Sequence, residues 1–155
     1  MSTPTQSPPL VVRRVIAAPA ELVFRAWSDP AVASRWGWGK AYDTIALELD
    51  CRPGGAWRHE IRNRESGETF WFEGVFREVE PGRRVVHTFQ WRSDRGYRQD
   101  ESLVAVELLP RGAATEVVIT HTLLPAESVA DTDTGWHDCL EQIDAAVRDA
   151  GGEPR

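Results

Sequence analysis

The segment from Ser128 to Asp149 constrains this chain more than any other. Trp136, Cys139, Leu140, Ile143 and Val147 recur at helical spacing and form one apolar stripe. Asp138, Glu141, Asp144 and Arg148 take the opposite side. Ser128, with Asp131 three residues on, reads as a capping box, and Gly151 as the C-terminal cap. The helix so predicted has about 20 residues and is roughly 30 Å long. Its stripe must lie on something, and the chain before it patterns mostly as strands. A curved sheet wrapped around the helix, with a pocket between the two, is the arrangement expected.

Taken in order, the chain opens with MSTPTQSPP, residues 1–9, which read as a disordered tail. Leu10 to Ala17 patterns as a strand. Pro19 suits the first turn of a helix whose apolar face is Leu22, Val23, Ala26 and Trp27. Asp29-Pro30 ends that helix and starts a shorter one, which Gly37-Trp38-Gly39 breaks. From Tyr42 the period becomes two, with Ile45, Leu47 and Leu49 on one face. Pro53-Gly54-Gly55 reads as a corner, and Trp57, His59 and Ile61 alternate along the next strand. Glu65 to Glu68 closes a hairpin onto Thr69–Val79. There Phe70, Phe72, Gly74 and Phe76 share a face, but Trp71 and Val75 are apolar on the other, so two registers remain open. Val85, His87, Phe89 and Trp91 follow, then a polar loop from Ser93 to Asp100. Strands around Val104–Leu108 and Val117–His121 complete the set. Short turns between successive strands predict an antiparallel sheet, and its apolar face needs the long helix as cover. The fold class expected is α+β: about seven strands around one long C-terminal helix, in a single domain over residues 10–150.

Composition narrows the function. A net charge of −6 argues against a general nucleic-acid binder. No stretch has the apolar length of a membrane span, and the first residues lack the pattern of an export signal. Cys51 and Cys139 have neither metal nor redox spacing, so reduced thiols in the cytoplasm are expected. Seven tryptophans are the compositional outlier. They fit a core rich in large rings and equally the apolar walls of a binding cavity.

The residues also resemble a known family. Ile16-Ala17-Ala18-Pro19 through Phe24 and Trp27, Asp29-Pro30 with Trp36, and Arg52-Pro53-Gly54-Gly55-Ala56-Trp57 carry the likeness. So do Gly74 through Pro81, Thr115 to His121, and Gly135-Trp136. In this order, over about residues 10–150, they resemble the START and birch-pollen-allergen (SRPBCC) superfamily. Within it they look like the branch named after the activator homologue of the heat-shock-protein-90 ATPase. The resemblance implies a helix-grip fold. It also implies the functional range of that superfamily, from lipid carriers and hormone receptors to aromatase/cyclases. The eukaryotic co-chaperones of the branch carry a further N-terminal domain, for which the residues before Leu10 are too few.

Three histidines, His59, His87 and His121, fall on strand faces read as inward. They are read as hydrogen-bonded core residues or as polar anchors for a ligand; no carboxylate partner suggests a metal site. Glu73 is the candidate acid or base if it enters the cavity. Cys51 reads as a buried structural thiol; beside Arg52 it would be reactive only if exposed, because a cation lowers a thiol pKa. There is no nucleophile elbow, phosphate-cradling loop or metal-binding His-Glu motif, so no catalytic residue, metal or cofactor is assigned. The expectation is a protein, monomer or homodimer, holding a hydrophobic small molecule, aromatic or lipid-like, between sheet and helix. Trp57, Trp71, Phe72, Phe89, Trp91 and Trp136 would form the walls, and His59, His87 and His121 would orient the ligand. The alternatives are a cyclase or hydrolase using histidine with Glu73, and a chaperone-binding module with an exposed apolar patch.

Overall fold

The computed structural model describes residues 8–36 and 41–151. Seven strands make one antiparallel sheet: β1 (Leu10–Ile16), β2 (Tyr42–Leu49), β3 (Ala56–Asn63), β4 (Thr69–Glu80), β5 (Arg84–Ser93), β6 (Arg98–Arg111) and β7 (Ala114–Thr122). Their spatial order is β1-β7-β6-β5-β4-β3-β2. From β2 to β7 each strand pairs with its successor, and β7 then pairs with β1. The link between β1 and β2 must therefore cross from one edge of the sheet to the other. Helices α1 (Ala20–Ser28) and α2 (Pro30–Ala33) make up that link. Asp29 caps α2 by accepting from the Ala31 N–H at 3.0 Å, with Pro30 at the first helical position, as its sequence predicts.

Helix α3 (Val129–Gly151) ends the described chain. Its stripe, Trp136, Cys139, Leu140, Ile143 and Val147, is at most 1% exposed. It shares one core with Phe72, Phe76, Phe89, Val104 and Ile119 of the sheet. A short 3₁₀ turn, Ala126–Ser128, precedes it, in which the Ser128 N–H donates to the Pro125 carbonyl at 2.9 Å. Ser128, expected as the cap, thus belongs to a turn that Pro125 starts. The tail through residue 7 and the Gly37-Trp38-Gly39 break lie outside the described residues.

Three expectations are corrected. Ile45 does not join Leu47 and Leu49. A bulge between Thr44 and Ala46 reverses the side-chain alternation, leaving Ile45 44% exposed and Tyr42 and Thr44 on the covered side. The polar loop is only Asp94–Tyr97, because Arg98 and Gln99 pair with β5 and, with Asp100, start β6. Asp144, read as part of the solvated helix face, is buried. Its carboxylate accepts from Arg14 of β1 at 2.9 Å and from Arg148 one helical turn on at 2.7 Å. Burial of the charge is tolerated because both its oxygens are paired.

The register of β4 settles the open question of its faces. Phe72 sits opposite His59 and Trp91, and Phe76 opposite His87, so Phe70, Phe72 and Phe76 face the helix. Between Glu73 and Phe76 the ladder to β5 is interrupted. The Thr88 carbonyl accepts instead from Trp57 Nε1 at 3.3 Å and His87 Nδ1 at 2.8 Å, while Thr88 Oγ1 accepts from the Val75 N–H. A Cβ on Gly74 would lie 2.0 Å from the Thr88 oxygen, so only glycine fits this close approach.

Candidate functional site

Among the described residues, two spaces open between sheet and helices. The inner one is a cavity of about 40 Å³ lined by Trp27, Trp36, Trp57, His59, His87 and Trp136, among others. That volume suits a water molecule, not a ligand of many atoms. The outer one is a cleft of about 330 Å³ between the first turns of α3 and the sheet. Tyr42, Phe70, Phe72, Phe89 and Trp91 wall it on the sheet side; Ser128, Asp131, Thr132 and Gly135 line the helix side. The rings form a continuous surface. Successive centroids are 5.8 Å apart for Tyr42–Phe70 and Phe70–Trp91, 6.2 Å for Trp91–Phe72 and 5.7 Å for Phe72–Phe89. Phe89 borders both spaces.

The three histidines do not converge on one ligand. His59 bonds Thr44 Oγ1 through Nε2 at 2.8 Å and faces the inner cavity. His87 also lines that cavity and donates from Nδ1 to the Thr88 carbonyl. His121 lines neither space. It is wholly buried behind Phe89, whose ring centroid is 5.0 Å away. The Trp136 indole N–H donates to His121 Nδ1 at 3.0 Å, and an indole has no acceptor. His121 Nδ1 is therefore unprotonated, and Nε2–H donates to Ser102 Oγ at 2.7 Å, whose own proton goes to the Phe89 carbonyl at 3.0 Å. The relay is complete with a neutral ring. Burial lowers the pKa of His59 and of His87 to about 4, in the latter against its bond to Thr88. Burial, and then the nearby His87, lower that of His121 to about 3.

The predicted wall is only partly assembled. Phe72, Phe89 and Trp91 line the cleft, and Trp57 and Trp136 line the inner cavity. Trp71 lies on the opposite, convex face, opposite Arg92 in the ladder, with that guanidinium 4.4 Å from its ring centre. Glu73 is on the same convex face, opposite Gln90. It therefore cannot act on a group held between sheet and helix, and the acid–base pairing with a pocket histidine fails. The Cys51 thiol is pushed up to about 11 by burial and then by Asp50. Arg52 is engaged with Asp50 at 2.9 Å rather than activating the thiol. Cleft residues that the sequence does not mark as lining the site include Tyr42, Phe70, Gln99, Glu127 and Asp131. The signal for Phe70 was present, since it shares a face with Phe72. Gln99 was hidden in a stretch read as loop.

The sequence matches the family described as Activator of Hsp90 ATPase homolog 1-like protein over residues 17–148. The chain belongs to that family. Solved structures of similar architecture include protein CV1439 from Chromobacterium violaceum. It is 28% identical with a TM-score of 0.80, over 95% of this chain and 98% of that one. The AHSA1 protein of Silicibacter pomeroyi is 26% identical with a TM-score of 0.78, over 89% and 96% of the two chains. An AHSA1-like protein from Aeromonas hydrophila, at 24% identity and a TM-score of 0.72 over 94% and 96%, shares the fold. No curated protein matches the chain. The helix-grip architecture implied by the sequence of this AHSA1-like protein is thus the one it adopts. Among its described residues no helix is long and apolar enough to cross a membrane.

Proposed function

We propose that this AHSA1-like protein binds a hydrophobic small molecule with an aromatic or lipid-like body in the cleft beside the first turns of α3. The observation that carries the reading is the 330 Å³ space walled by five contiguous rings. Ligand pockets run from about 300 to 1,000 Å³ and combine apolar walls with a few polar groups. The inner cavity, at 40 Å³, has no room for such a molecule. We therefore put the proposed site nearer the start of α3 than the aromatic pattern alone suggests. A protein-docking role is less well supported. The large exposed apolar side chains, such as Val15, Ile45, Val75, Tyr97 and Leu123, are spread over both sheet edges, β4, a loop and a linker. Cys51 and Cys139 are both thiols, which fits action in the reducing cytoplasm.

Titration with hydrophobic aromatic compounds is expected to quench tryptophan fluorescence saturably. Trp91→Phe should remove most of the change, because Trp91 lines the cleft, and Trp71→Phe on the convex face should leave it intact. A linear, non-saturating response, or equal loss in both variants, overturns the proposal.

A further inference from the structure

The first turns of α3 wall the cleft, and they are fastened differently from the rest of the helix. From Pro125 to Gly135 no side chain is buried. The segment hangs between two buried anchors, Leu124 at 3% exposure and Trp136 at 1%. Among the described residues, no side chain of the segment bonds to the sheet or to α1 and α2. Its one side-chain polar contact, Asp133 with His137 at 3.3 Å, stays within the helix. Past Trp136 the helix is held by more than its apolar stripe. Asp144 takes the Arg14 guanidinium at 2.9 Å, and Asp149 takes that of Arg35 at 2.8 Å. A stretch with few buried apolar contacts opens at a lower free energy than the core it adjoins.

Each end of the segment also carries a backbone weakness. Leu123 has a φ of 65°, in the left-handed region where a Cβ crowds the following carbonyl oxygen. Its side chain is 49% exposed, so its own packing does not impose this conformation. The chain holds it there because Thr122 is still paired with Leu103 and Leu124 is buried. At the other end Gly135 weakens the helix, as glycine does relative to alanine. It directly precedes Trp136, which is fixed by its 3.0 Å bond to His121. Both weak points thus lie beside fixed ones. Between them, Ser128, Asp131 and Thr132 face the rings of Phe70, Phe72 and Trp91 across the cleft.

We infer that residues 125–135 form a lid, hinged at Leu123 and Gly135, that swings away from the rings to admit a ligand and closes over it. Its purpose rests on the binding role above; its motion rests on the strained and weakened ends and the missing anchors between them. Opening lets Leu123 leave the left-handed region, so the strain held there favours the open state. A bound aromatic body lies between lid and rings and supplies the apolar contacts that the lid lacks, so it favours the closed one.

Amide hydrogen exchange on the full chain, read by NMR in urea below the unfolding transition, tests the motion without a ligand. The amides of Asp133, Thr134 and Gly135 are expected to exchange about a hundredfold faster than those of Leu140 to Val147. The three should share one opening equilibrium and one urea slope, as a hinged unit does, whereas fraying of a helix end grades protection from residue to residue. Leu123→Asn keeps an exposed side chain and tolerates the left-handed region, so it should make opening about fivefold rarer at all three. Fraying within α3 would leave them unchanged, because Leu123 would keep its conformation. The uncharged aromatic probe 2-naphthol, with binding followed by calorimetry, should slow the three about tenfold at ten times its Kd. Uniform protection along α3, a residue-by-residue gradient, or no response to Leu123→Asn overturns the hinged lid. Bound 2-naphthol that leaves the three unchanged overturns the closure. Exchange as expected without any binding of 2-naphthol overturns the binding role and leaves the hinge standing.

Discussion

Acidification from pH 7 to pH 5 is expected to remove about 5 kcal/mol of folding stability through three histidines. In the unfolded chain each titrates at about 6.5. In the folded protein His59 and His87 titrate at about 4 and His121 at about 3. The folded values lie below the unfolded one, so below pH 6.5 the unfolded chain takes up protons that the folded protein refuses. The histidine contribution is therefore full above pH 6.5, and it is lost as the pH falls towards 4. Each loses about 1.4 kcal/mol per pH unit once well below 6.5, or about 1.8 kcal/mol between pH 7 and pH 5. The geometry explains the refusal most clearly at His121. Protonating Nδ1 would set one N–H against the Trp136 N–H that now bonds it at 3.0 Å.

Urea unfolding followed by tryptophan fluorescence at closely spaced pH values checks the slope. His121→Gln sharpens the test. A glutamine carbonyl can accept from Trp136 and its amide can donate to Ser102, but it cannot charge. The variant should be weaker at pH 7 by about 1–2 kcal/mol for imperfect replacement. Its stability should then fall with a slope shallower by one proton, about 1.4 kcal/mol per pH unit. A native protein equally stable at pH 7 and pH 5, or a variant with the native slope, refutes the assignment of a neutral, closed relay.

Gly74→Ala places a Cβ 2.0 Å from the Thr88 carbonyl and should cost about 3 kcal/mol or more, read as a fall in Tm. Thr132→Leu adds one apolar turn to the stripe ahead of Trp136 and fills the cleft. It should raise stability by about 1 kcal/mol in urea unfolding while abolishing the saturable fluorescence response. The Cys51 thiol, at about 11, should react with a disulfide reagent at pH 7.5 about a hundredfold more slowly than a free cysteine.

What could be read from the chain without coordinates follows from the range of the interactions involved. Local signals carried well. Asp29-Pro30 predicts its cap, and the spacing of Trp136, Leu140, Ile143 and Val147 predicts a buried helix face; both depend on residues within a turn of each other. Family resemblance added the helix-grip order. The failures came where a partner distant in sequence decides. Asp144 looks like a surface residue until Arg14, far away on β1, is brought against it. Trp71 and Phe72 are equally apolar, and only the pairing of Phe72 with His59 and Trp91 puts Trp71 outside. Ile45 fits perfect alternation, and a single bulge reverses it. Gln99 was assigned to a loop because its neighbours are polar, although edge and rim positions of a long strand are polar for the same reason, exposure.

The position of the cleft, by contrast, has a cause visible along α3 itself. From Val129 to Gly135 the helix offers Asp131, Thr132 and Gly135 to the sheet, and no large apolar side chain before Trp136. The sheet opposite does not taper in step: Phe70, Phe72 and Trp91 continue its aromatic face past the point where the helix stripe stops. Beyond Trp136 the two surfaces match, and the interior closes to about 40 Å³. Before it they do not, and about 330 Å³ stays open. Leucine-sized side chains in the first two turns would each gain about 1.5–3 kcal/mol on full burial, so a chain under selection for stability alone would have filled this space. Leaving rings uncovered there is a loss of stability, which is the reason the proposed binding site is put in this cleft rather than in the closed interior.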